Sequence, residues 1–149
     1  MRYYFDTSAL MKIYHREEGT EIILNIYKSD DDIIISELGK IEFISTCYRK
    51  YREKEISYET LKAVIQKFEC DVESRYEILK FSPLIIDEAW SLICSLAEKY
   101  SLKTLDSIQF AFFKIYCEAD NVFVCSDDKF IKLVENEGFE TLLPSDKRT

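Results

Sequence analysis

Four acidic side chains stand where they could hold a divalent cation. Asp6 closes a short apolar run, in Tyr-Phe-Asp-Thr-Ser, and Asp127 follows another, in Phe-Val-Cys-Ser-Asp-Asp. In an open parallel sheet, ligands bind beyond the carboxyl ends of the strands. If these two runs are neighbouring strands, both carboxylates face one crevice. Asp106 lies in an almost wholly apolar segment, in line on a helical wheel with Phe110, Phe113 and Cys117. An aspartate on such a face must be paired, metal-bound or close to an edge. Glu42 sits beside an apolar stripe, one helical turn after Leu38. Each close pair of carboxylates would repel by on the order of 4 kcal/mol at an effective dielectric of about 20. A cation relieves that repulsion. Oxygen donors without nearby sulfur or imidazole favour Mg²⁺ or Mn²⁺, ions that can activate water and stabilise a phosphoryl transition state. The chemistry would be phosphodiester hydrolysis.

Plainer roles stay open for all four. Asp6 precedes a helical start at Ala9–Tyr14, and Asp127 precedes one near Lys129, so both suit the N-cap position. Asp106 could be a buried cap and Glu42 a flanking surface residue. Asp128 competes with Asp127. Other chemistries lack their residues. His15 is the only histidine and lies in a charged stretch that suits the surface. There is no G-x-S-x-G elbow and no Gly-rich phosphate loop.

The elements that must position these acids follow from periodicity. Short β-prone runs occur at Arg2–Phe5, Asp32–Ile35, Tyr76–Phe81, Asn121–Cys125 and Phe139–Leu143. Between them, three-four spacing predicts helices. The apolar stripes are Leu38, Ile41, Ser45, Tyr48 and Tyr51; Leu61, Val64, Ile65, Phe68 and Val72; and Ile86, Ala89, Ile93, Leu96 and Tyr100. Leu105–Cys117 is apolar nearly all round, which predicts a buried helix. Strands alternating with helices give an α/β fold. The expectation is a three-layer α/β/α sandwich around a mainly parallel sheet of about five strands. Few glycines and prolines, and no repeat or linker, make residues 1–149 one domain.

Composition narrows the class. The net charge of -8 argues against a simple nucleic-acid coat protein, but not against an enzyme that meets phosphate through a cation. Basic residues do gather locally, at Arg49, Lys50, Arg52 and Lys54. They read as a solvated helix end, while Lys12, Arg49 and Lys50 could also steer RNA. The five cysteines form no C-x-x-C pair and their number is odd, which predicts buried, reduced thiols in a cytoplasm rather than a disulfide framework or zinc site. No stretch approaches the roughly 18 apolar residues of a membrane span. An acid inside the first apolar run is not what a signal peptide carries.

The motifs resemble those of the PIN-domain family. Tyr-Phe-Asp-Thr-Ser-Ala-Leu-Met-Lys-Ile-Tyr resembles its start, with Asp6. Ile-Ser-Glu-Leu-Gly-Lys-Ile-Glu-Phe is similar to its second motif, with Glu42. Leu-Lys-Thr-Leu-Asp-Ser-Ile-Gln-Phe-Ala is similar to its third, with Asp106. Val-Phe-Val-Cys-Ser-Asp-Asp-Lys-Phe is similar to its fourth, with Asp127, since Phe130 then falls at the motif's apolar position. The resemblance runs from Tyr3 to Gly138. Gly39 and Cys125 stand where the family often has Thr, and Ser126 is placed to replace the second hydroxyl. Length and architecture are most similar to VapC-like toxins. The resemblance implies a Mg²⁺- or Mn²⁺-dependent endoribonuclease with Asp6, Glu42, Asp106 and Asp127 as catalytic and metal-binding residues. It also implies a homodimer and a cognate antitoxin covering the acidic groove. The alternative expectation is a catalytically silent PIN-fold interaction module whose acids only cap helices.

Overall fold

The computed structural model of the protein describes residues 1–145. Five strands, β1 (Arg2–Phe5), β2 (Asp32–Ser36), β3 (Tyr76–Leu79), β4 (Val122–Val124) and β5 (Glu140–Leu142), form one sheet in the order β3-β2-β1-β4-β5. Every pairing is parallel. The chain builds outward from β1 to β3, then returns to place β4 on the other side of β1. The strand order therefore reverses between β1 and β4, where Asp6 and Asp127 emerge.

Alternation along the strands divides the core in two. Tyr4, Ile34 and Phe123 stand side by side in register and point to one face. There they meet α5 (Pro83–Leu96), α6 (Thr104–Tyr116) and α7 (Asp128–Asn136). Phe5, Ile33, Ile35 and Val124 point to the other face, under α1 (Thr7–Tyr14), α2 (Thr20–Lys28), α3 (Glu37–Arg52) and α4 (Tyr58–Ser74). Both faces of the sheet are covered, so β4 and the middle of β2 are continuously apolar rather than alternating. Ser36 and Ser57 cap α3 and α4 through their hydroxyls.

A buried polar knot fastens α4 to the rest of the domain. Asp71, 8% exposed, accepts hydrogen bonds from the hydroxyls of Tyr14 and Tyr27. Arg75 donates to backbone carbonyls of Ile26, Tyr27, Ser29 and Asp31.

Several sequence expectations need correction, including burial of all five cysteines. The buried stripe of α3 is Leu38, Gly39, Phe43, Cys47 and Lys50, while Ile41, Tyr48 and Tyr51 are exposed. Phe43 fixes this phase by stacking on Phe68 of α4, with ring centroids 3.9 Å apart. In α5 the buried face is Ile85, Ala89, Leu92 and Leu96, and Ile86 is exposed. The helix α6 is buried on one side only, since Leu105, Ile115 and Tyr116 are exposed. Of the cysteines, Cys47 and Cys125 are buried, Cys117 is half-buried, and Cys70 and Cys94 are exposed, all with free thiols. Three-four spacing reveals a stripe but not which of two apolar stripes meets the sheet. Strand ends also shift: β3 stops at Leu79, and the Phe81 amide donates to Glu37. Among the described residues, no helix is long and apolar enough to cross a membrane.

Candidate metal centre

The strand-to-helix turn after β1 places Asp6. Its amide extends the sheet by donating to the Val124 carbonyl at 3.1 Å, and its side chain caps α1. One oxygen, Oδ1, accepts from the Ala9 amide at 3.0 Å and the Ser8 hydroxyl at 2.6 Å. Asp6 is 7% exposed. Burial raises its pKa, the bonds from Ser8, Cys125 and Ala9 oppose that, and the charge of Glu42 adds to it, for a net rise.

Glu42 is not a flanking surface residue. The phase of α3 turns it towards β1, where Oε1 accepts from the Thr7 hydroxyl at 2.9 Å and from Gln109 Nε2 at 2.7 Å. Gln109 is 3% exposed, and its carbonyl oxygen accepts from the Tyr4 hydroxyl. A chain of polar contacts thus runs from the sheet's core through Gln109 to the Glu42 carboxylate.

Asp106 is the third residue of α6 and caps nothing, because the N-cap position belongs to Lys103. Its pKa is pushed up to about 6 by burial first, then by the charges of Asp6, Asp127 and Glu42, against the smaller pull of Lys103. Among the described residues, none donates a hydrogen bond to its carboxylate. It is the acid that feels the other three.

Asp127 follows β4 and caps α7, with Oδ1 accepting from the amides of Lys129 at 2.9 Å and Phe130 at 3.2 Å. Asp6, Glu42 and Asp106 line a cavity of about 460 Å³. Asp127 opens onto a neighbouring cavity of about 560 Å³, and Asp106 lines both, forming the ridge between them. Asp128 instead lines a third, small cavity with Lys12, Glu18 and Ser126.

The carboxylates converge without closing. Among the described residues, no group of three or more His, Cys, Asp or Glu side chains is drawn together tightly enough to hold an ion as it stands. The donor set still suits a hard divalent ion. All four candidates are carboxylates, and Glu42 and Asp127 each keep one oxygen outside the hydrogen bonds described above.

Ser8, Thr7 and Gln109 were not singled out from the sequence. Ser8 joins the two strand ends, donating to Asp6 and accepting from the Ser126 amide at 2.9 Å. Ser126, placed by the sequence to supply a hydroxyl here, has its Oγ buried without a partner among the described residues. Cys125 Sγ accepts from the Asp127 amide at 3.3 Å. Gln109 carried one readable signal, a lone amide one turn beyond Asp106 in an apolar helix.

The sequence matches the PIN-domain family profile over residues 3–136. The chain belongs to the PIN-domain family. Members of that family are generally nucleases. No curated protein sequence matches the chain. The fold of this PIN domain is similar to that of VapBC2 from Rickettsia felis, solved bound to a DNA fragment from its promoter. The identity is 17% and the TM-score 0.67, over 96% of this chain and 98% of that one. It is similar to VapC20 of Mycobacterium tuberculosis, a sarcin–ricin loop cleaving toxin, at 12% identity and a TM-score of 0.69, covering 95% and 99%. It is also similar to FitAcB from Neisseria gonorrhoeae, at 13% identity and a TM-score of 0.70, covering 95% and 97%. The five-stranded parallel sheet with helices on both faces is the VapC-like PIN architecture.

Proposed function

We propose that this PIN domain is a divalent-metal-dependent endoribonuclease and the toxin of a toxin–antitoxin pair. The observation that carries the reading is Asp106: a half-buried carboxylate on which the charges of Asp6, Asp127 and Glu42 converge beside one cavity. Asp6 and Asp106 are the principal ligands, and Glu42 and Asp127 complete the set directly or through water. When bound, Mg²⁺ or Mn²⁺ supplies a counter-charge to the acids and a Lewis acid for phosphodiester hydrolysis. Ser8 and the Ala9 amide hold Oδ1 of Asp6 and so fix the direction in which its carboxylate meets the ion. Gln109 and Thr7 hold Glu42 in the same way. One of the carboxylates takes the proton of the attacking water.

The partners follow the structural neighbours, several of which are toxin–antitoxin complexes. A cognate antitoxin would cover the acidic groove, the chain would pair as a homodimer, and the protein would act in the cytoplasm on RNA. The open spacing of the carboxylates also suits a silent interaction module. One assay separates the two readings. Purified protein is incubated with structured RNAs and Mg²⁺ or Mn²⁺, with and without chelator, beside Asp6→Asn and Asp106→Asn. The nuclease reading expects cleavage by the wild type with metal alone. Identical behaviour of wild type and variants would sink it.

A further inference from the structure

The cavity that holds Asp6, Glu42 and Asp106 is electrically divided. Away from these acids it is lined by Arg49 and Lys50 of α3 and by Lys12 of α1, the last offset by Glu17. The sequence of α3 builds this division by four-residue steps: Glu42, Thr46 and Lys50 share one helical face and all line the cavity. Eight residues of helix separate Glu42 from Lys50, about 12 Å along the axis. One nucleotide step rises about 3.4 Å in a duplex strand and more when extended. The basic residues are therefore about two to four nucleotide steps from a phosphate seated at the carboxylates.

Lys12 is committed elsewhere. Its ammonium donates to the Glu18 carbonyl and lies 3.6 Å from Glu17, which pins the loop between α1 and α2. Lys50 and Arg49 are held more loosely. The Lys50 side chain is 11% exposed, but its partner Glu55, at 3.2 Å, is 42% exposed. Arg49 meets Glu53 at 3.4 Å, with both side chains about half exposed. The Arg49 pair is exposed at both ends and contributes little. Lys50 is nearly buried, but its partner Glu55 lies at the surface, so a phosphate can replace either carboxylate. In a chain of net charge -8, two exchangeable cations inside the acidic cavity are a local exception that a polyanion can use.

We propose that Lys50 and Arg49 form a phosphate subsite that grips the backbone of single-stranded RNA beside the phosphate to be cut. This subsite rests on the nuclease reading for its orientation, but binding alone can test it. The experiment measures binding of a labelled single-stranded RNA oligonucleotide to the full chain by fluorescence anisotropy, in chelator, across a range of salt. Lys50→Gln and Arg49→Gln should each weaken binding roughly tenfold at low salt and flatten the slope of log affinity against log salt by about 0.7. Glu55→Gln, which frees Lys50, should tighten binding about threefold. Lys62→Gln, on α4 outside the cavity, should match the wild type.

Unchanged salt slopes in both cation variants would overturn the subsite, as would a failure of RNA to bind at low salt. Weakening by Glu55→Gln would also overturn it, since that is what a purely structural ion pair predicts. So would a polyglutamate peptide that binds the same residues more tightly than RNA. The parallel cleavage assay with Mn²⁺ separates the two readings. RNA cut by variants with wild-type slopes rejects the subsite and keeps the nuclease. Flattened slopes without any cleavage reject the nuclease and keep the subsite.

Discussion

Replacing Asp106 by Asn should stabilise the protein when no divalent ion is present. The Asp106 carboxyl is pushed up from 3.8 to about 6 in the folded state, first by burial and then by Asp6, Asp127 and Glu42. A rise of about two units corresponds to about 3 kcal/mol of destabilisation when the group is ionised. Asp106 is only half-buried, so solvent screening reduces that to about half. Asn also forfeits the favourable charge of an acid in the first turn of α6, about 0.3–1 kcal/mol. The net gain is about 1 kcal/mol, or roughly 2–4 °C in Tm for a chain of this length. The sign depends on pH. An acid whose pKa is raised on folding favours the folded state only while protonated, so the wild type loses ground as pH climbs from 3.8 towards 6. The gap between Asn variant and wild type should be near zero below about pH 4 and fully open by about pH 7. Thermal unfolding in chelator, followed by circular dichroism across this range, checks it. Adding Mg²⁺ or Mn²⁺ should then raise the wild-type Tm and close or reverse the gap, because an ion bound only to the folded state stabilises it. An Asn variant that melts at or below the wild type in chelator at about pH 8 refutes the reasoning, as does a gap that ignores pH.

Other perturbations test the supporting structure. Gln109→Leu removes the acceptor of the buried Tyr4 hydroxyl and one of the two donors to Glu42. It should cost about 1–3 kcal/mol in denaturant unfolding and weaken metal binding by calorimetry roughly 10–100-fold. Gly19 has φ +86°, and a Cβ there would lie 2.4 Å from the Pro144 carbonyl oxygen. Gly19→Ala should therefore lower stability by more than about 1 kcal/mol, seen as a fall in Tm, and an unchanged Tm would contradict the close approach. Asp71→Ala leaves the hydroxyls of Tyr14 and Tyr27 without their acceptor. It should cost at least about 1–3 kcal/mol, and hydrogen exchange should rise first in α4.

The sequence alone carries Asp6 and Asp127 to the ends of short apolar strands, and it carries Asp106 into the first turn of an apolar helix. Those placements depend on local pattern, and local pattern decides element type. The order β3-β2-β1-β4-β5, which brings Asp6 and Asp127 to adjacent strands, is a long-range pairing that no local window contains. The phase of α3 was misleading for a related reason. That helix carries two apolar stripes, and the one containing Phe43 is buried because Phe68 of α4 receives it. This choice turns Glu42 inward to Thr7 and Gln109, and it turns Lys50 into the same cavity. The residue types define which ions and charges the site can use. Only the packing of α3 against α4, and of α6 against the sheet, decides that the acids and cations share one cavity.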